Sequence, residues 1–108
     1  MDYSQLSDFE INKRVFKAIV GAKPLGYPHN ADGRSVGNEV NGNYRWYDYC
    51  NNPADAWPII EKYRISIINL DEDEWGARGV AYCKSKRAIH ENPLRAAMIV
   101  FLMMQRIQ

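Results

Sequence analysis

Ile11, Val15 and Ile19 recur every four positions, with Phe16 and Val20 beside them, so one apolar stripe runs along the first long segment of the chain. Ser7 and Glu10 stand in capping-box spacing just before it, where hydroxyl and carboxylate each satisfy an orphan backbone donor, and Leu6 can staple onto Ile11. Gly21 supplies the stop. The pattern predicts an amphipathic helix over residues 8–20. From Lys23 to Asn43 neither period survives: four of the seven glycines fall there, with Pro24, Pro28 and four asparagines. Residues 24–43 read as a long Gly/Asn-rich loop, a kind of segment that is either mobile or shaped for a ligand or partner, with Asn41-Gly42 suited to a tight hairpin turn.

Tyr44 to Tyr49 is aromatic and lacks helical period, which predicts a strand. Asn52-Pro53 opens a second helix, to about Tyr63, because asparagine caps free amides and proline at the first helical position forfeits no hydrogen bond. Pro58 inside it cannot donate to the carbonyl four residues back, which predicts a bent first turn. The isoleucine-rich stretch Arg64–Leu70 and the stretch Trp75–Cys83 read as two strands of a hairpin joined by Asp71-Glu72-Asp73-Glu74. Lys84-Ser85-Lys86-Arg87 reads as a basic connector. Asn92-Pro93 then repeats the earlier helix start and leads into a helix over about Leu94–Arg106. That helix is apolar almost all round from Ala96 to Met104. A helix without a polar face is either enclosed by its own domain or shared with another subunit. In so small a domain a homo-oligomer joined through this helix is the expectation carried forward. The fold class is α+β: one domain over residues 1–108, with about a three-stranded sheet packed by three helices in the order helix, strand, helix, strand, strand, helix.

Composition narrows the function. At 12.5 kDa, 108 residues hold one core and no second domain. Fourteen basic against thirteen acidic side chains leave +1, divided evenly along the chain, which argues against nucleic acid or an anionic membrane as the main partner. The nine-residue apolar run Ala96–Met104 is about half of what a bilayer span requires. No secretory signal follows Met1, so a cytoplasmic location is expected. Cys50 and Cys83 stand alone, and with His29 and His90 they match no metal module. The acidic run at 71–74 lacks the glycine and ligand order of a calcium loop. No nucleophile elbow and no phosphate loop is present, so the chain reads as a non-enzyme with no cofactor and no metal. Stacking chemistry remains. Tyr27, Tyr44, Trp46, Tyr47, Tyr49, Trp75 and Tyr82, with Arg34, Arg45 and Arg78, are the groups that could clamp a base or a sugar-phosphate. Ordinary half-buried strand aromatics would look the same. The ligand-binding set taken forward is Tyr27, Arg34, Tyr44, Arg45, Trp46, Trp75 and Arg78.

The opening MDYSQLSDFEINK, the central YCNNPADAWPIIEKYRISI and the closing ENPLRAAMIVFLMM resemble NinX-like proteins of lambdoid phages. The likeness covers both ends and the middle but not Lys23–Asn43. More distantly, the aromatic strand and the Asp-Ala-Trp helix are similar to small phage domains described as an alpha-beta-alpha sandwich. The family has no assigned function, so the resemblance brings no catalytic residues. It implies an accessory protein in the cytoplasm of the infected bacterium, acting by binding. The concrete version is a counter-defence sponge that sequesters a nucleotide-derived signalling molecule, with the Gly-rich loop as lid. The alternatives are a protein-interaction module that modulates a host or phage factor, and a DNA-associated accessory of replication or recombination.

Overall fold

The computed structural model describes residues 2–28 and 32–105. After a 3-10 turn at Tyr3–Gln5 come α1 (Asp8–Val20), the hairpin β1 (Val36–Val40) and β2 (Asn43–Tyr47), α2 (Pro53–Lys62), the strands β3 (Ser66–Asn69), β4 (Trp75–Ala81) and β5 (Lys84–His90), and α3 (Pro93–Met104). The α+β class stands, but among the described residues the strands number five and form two antiparallel sheets, β1-β2 and β3-β4-β5, rather than one sheet of about three.

Helix starts behave as their residues dictate. The Ser7 hydroxyl accepts from the Glu10 amide at 3.1 Å, and Gly21 closes α1 in the left-handed region at φ 79°. Asn52 accepts from Ala54 and Asn92 from Leu94 and Arg95, each followed by a proline that needs no partner.

Two expectations fail, for different reasons. β1 lies inside the segment read as structureless. Its sequence, VGNEV, has apolar residues only at its ends, so no alternation marks it, and it exists because Tyr47 to Asn43 pair along it. The Asn41-Gly42 turn does form, with both residues at positive φ (54° and 81°), as a type I′ hairpin turn requires. The basic connector is the edge strand β5, paired with β4 from Ala81–Lys84 to Trp75–His90. The turn between them is Tyr82-Cys83, at φ 54° and 62°. Neither residue signals a left-handed turn, so the strand break was displaced by two positions.

α3 lies against β4, β5, α1 and α2, and Met98, Val100 and Phe101 are fully buried. Each such side chain contributes about 1.5–3 kcal/mol. The helix with no polar face is therefore enclosed by its own domain, and the apolar surface that suggested a subunit contact is already covered. Arg106, where this helix was expected to end, lies outside the described residues. Among the described residues no helix is long and apolar enough to cross a membrane.

Candidate functional site

Asp48, 8% exposed at the end of β2, is the hub of a polar cluster. It receives Arg34 Nε at 2.7 Å, Asn12 Nδ2 at 3.0 Å and Asn51 Nδ2 at 3.1 Å, while its own amide donates to Asp55 Oδ2 at 2.9 Å. Asn12 is fully buried, and every polar atom of its amide group is used: Nδ2 also donates to the Arg34 carbonyl at 2.9 Å, and Oδ1 accepts from the Cys50 amide at 3.2 Å. Asn92 Nδ2 joins from α3, donating to the Cys50 carbonyl at 2.7 Å. Beside it, Arg95 reaches Asp8 at 2.5 Å and the Leu6 carbonyl at 2.6 Å. Burial alone would raise the Asp8 carboxyl, but the hydrogen bonds from Asn51 and Arg95 outweigh it and hold it below the usual range. Burial pushes the Cys50 thiol well up, so this sulfur stays protonated and inert. Apart from Arg95 Nε, which is buried with no hydrogen-bond partner among the described residues, the groups named here are partnered, and the cluster is a clamp joining α1, the β2–α2 turn and α3.

The solvent-open chemistry lies elsewhere. Under the β1-β2 hairpin, a cleft of about 440 Å³ is walled by Phe16 and Val20 of α1 and by Val40 and Tyr47 of the hairpin. Asn38, Asn41, Asn43 and Arg45 supply its polar lining. The Tyr47 ring is fixed between Phe16 (5.9 Å between centroids) and Tyr49 (5.7 Å, stacked). Lys13 and Lys17 stand three residues before Phe16 and Val20, so their stripe adjoins the cleft wall on α1. They line a groove of about 370 Å³ with Arg14, Lys23 and Glu10. Glu10 engages Lys13 at 3.4 Å, and Arg14 Nε is buried with no hydrogen-bond partner among the described residues. Four cations thus meet one carboxylate.

Of the residues singled out in the sequence, Arg45 lines the cleft. Tyr44 and Trp46 alternate to the opposite face of the hairpin. There Tyr44 is hydrogen-bonded to Glu39, its cross-strand partner, which raises its phenol; Tyr27 stands close by. Arg34 is committed to Asp48. Trp75 and Arg78 belong to the other sheet, so the seven are not one site. His29 lies outside the described residues. The cleft's asparagines were missed because β1 was missed. The Lys13, Arg14, Lys17 spacing was legible on the helix but had no opposing wall. Among the described residues no group of three or more His, Cys, Asp or Glu side chains is placed to hold a metal ion.

These features define a small α+β domain whose polar interior is locked and whose open chemistry is a cleft beside a cationic groove. The profile of the family described as Bacteriophage P22, NinX matches residues 2–105, and the chain belongs to that family. The three sequence blocks that carry the likeness meet at the clamp, through Asp8 and Asn12, Cys50 to Asp55, and Asn92 and Arg95. The chain is also similar to a phage protein from Bacillus cereus ATCC 14579, whose 2.0 Å crystal structure superposes with a TM-score of 0.68 at 20% identity over 96% of this chain and 97% of that one. At that identity the likeness concerns the fold alone. No curated protein matches the chain.

Proposed function

We propose that this phage protein captures a phosphorylated, nucleotide-like small molecule and does not turn it over, in the cytoplasm of the infected bacterium. The observation that carries this reading is the hairpin cleft: the half-buried Tyr47 ring, backed by the buried Phe16, forms part of its wall, and three asparagine amides, able to donate and accept on one ligand edge, stand beside the Arg45 guanidinium. A planar heterocycle packs against the part of Tyr47 left open to the cleft and the Arg45 guanidinium, and amides pair with its edge. The neighbouring groove supplies the charge for phosphate, and the orphan Arg14 Nε is the kind of buried donor that an anion would satisfy. A counter-defence sponge is the specific role this chemistry suits, because sequestration needs affinity and no catalyst.

The test is calorimetric titration with a panel of nucleoside mono- and diphosphates and cyclic dinucleotides. At least one member binds, and Arg45→Ala weakens it by about thirtyfold, the loss of about 2 kcal/mol expected for one charge-assisted hydrogen bond. A panel without a binder, or affinity unchanged in Arg45→Ala, overturns the reading.

A further inference from the structure

Among the described residues, α3 packs on one face of the sheet β3-β4-β5 and no helix packs on the other. Gly79 faces α3, since a Cβ there would lie 2.5 Å from Met104 Sδ and 3.1 Å from Val100 Cγ1, and by alternation Ala77 faces the same way. Gly76, Arg78 and Val80 point outward. On that outer side Ile68 is 44% exposed, Leu70 46%, Val80 51% and Ile89 59%. Ile68 and Ile89 flank Gly76 in one row, over a groove of about 340 Å³.

The charges around this row are arranged unusually. Arg78 and Arg87 are direct cross-strand partners. Like charges in that position repel, and among the described residues neither is within ion-pair distance of a carboxylate. Arg78 Nε donates to Ser85 Oγ at 3.0 Å. Glu74, just before β4, and Glu91, just after β5, are both exposed, and extrapolating the Trp75–His90 register one step beyond the paired residues sets them opposite each other on the outer side. On that extrapolation the outer positions run Glu74, Gly76, Arg78 from the residue preceding β4 into the strand and, in the same spatial direction, Glu91, Ile89, Arg87 from the residue following β5 back into it. An acidic row and an arginine row each lie about 7 Å from the apolar row.

We infer that this face binds a second copy of the chain, sheet to sheet, about a two-fold axis lying between the sheets along the Ile68–Gly76–Ile89 row. Rotation about that axis returns the apolar row onto itself and exchanges the two charged rows, so Arg78 and Arg87 of each copy meet Glu74 and Glu91 of the other. A pattern that is self-complementary under a two-fold is what an isologous dimer requires. It explains the exposed isoleucines and the unpaired arginines together, and it uses a surface unrelated to α3 or the hairpin cleft.

Sedimentation velocity over a concentration series tests it. The wild-type chain sediments as a dimer at micromolar concentrations. The variants Arg78→Glu/Arg87→Glu and Glu74→Arg/Glu91→Arg are each monomeric, with unchanged circular dichroism, because each presents one sign of charge to itself. Mixing the two restores a dimer, since the altered faces are then complementary. A wild-type chain that stays monomeric up to about 100 μM, as a face kept for a different macromolecule would leave it, overturns the inference, taking that concentration as a generous ceiling for a specific contact. Variants that remain dimeric, or a mixture that does not associate, overturn it as well.

Discussion

Trp46 fills the space that a side chain at Gly37 would occupy. The two are cross-strand partners in the β1-β2 hairpin, and a Cβ built on Gly37 would overlap the indole at Cε3. Glycine weakens a strand by itself, but here it lets an aromatic cover its backbone, and the contact fixes Trp46 on the hairpin's outer face. Gly37→Val should therefore cost about 1–3 kcal/mol by overpacking, despite valine's better strand propensity, and should alter the near-ultraviolet circular dichroism of the tryptophans. Urea unfolding followed by both signals checks it. A neutral or stabilised variant would show that Trp46 moves aside freely.

The clamp around Asp48 makes a second prediction. Asn12→Leu keeps the volume roughly constant but strips partners from the Cys50 amide, the Arg34 carbonyl and Asp48 at once. Unsatisfied buried groups cost about 1–3 kcal/mol each, so the variant should lose about 3 kcal/mol or more, enough to unfold much of a marginal domain at 37 °C. Chemical denaturation measures the loss, and a change below about 1 kcal/mol would mean that the cluster is not a clamp.

The β4–β5 turn stores strain that substitution can release. Tyr82 and Cys83 both hold positive φ, a conformation costing roughly 1–2 kcal/mol in most residues, and both side chains are exposed. Tyr82→Asn with Cys83→Gly gives the turn its preferred residues and should raise the melting temperature by about 5 °C or more. Differential scanning calorimetry reads this directly.

Acid sensitivity follows from Asp32. Slight burial opposes ionisation, but hydrogen bonds from the Ser35 hydroxyl and from the Ser35 and Arg34 amides prevail and lower the carboxyl from 3.8 to about 2. A lowered folded-state value means that the unfolded chain binds more protons between those limits. Asp32 therefore contributes stability that is complete above about pH 4 and lost as the pH falls toward 2. Asp32→Asn should flatten the stability curve between pH 4 and pH 2 relative to wild type, measured by urea midpoints, while retaining folding at pH 7.

What the sequence made legible is what local chemistry decides. Ser7, Asn52, Asn92 and Gly21 mark helix ends because their side chains or φ preferences act within one turn, and the three helices came from them and from the apolar spacing. β1 and β5 were not legible, because VGNEV and KSKRAIH are stabilised by partners distant in sequence or across an unmarked turn. The same limit governed the site. Arg45 could be named from its aromatic strand, but whether an arginine is free or bound depends on tertiary neighbours, and Arg34 is held by an aspartate fourteen residues away. Trp75 and Arg78 looked close to the others only along the chain.

Capture of a nucleotide-like ligand in the hairpin cleft is tested most directly by native mass spectrometry of the protein purified from phage-infected cells, compared with Arg45→Ala prepared identically. The wild-type spectrum should carry a co-purifying mass of a few hundred daltons that fragments to a nucleobase and phosphate, and the Arg45→Ala spectrum should lack it. A wild-type chain that emerges bare, or a bound mass retained equally by both proteins, would contradict the account.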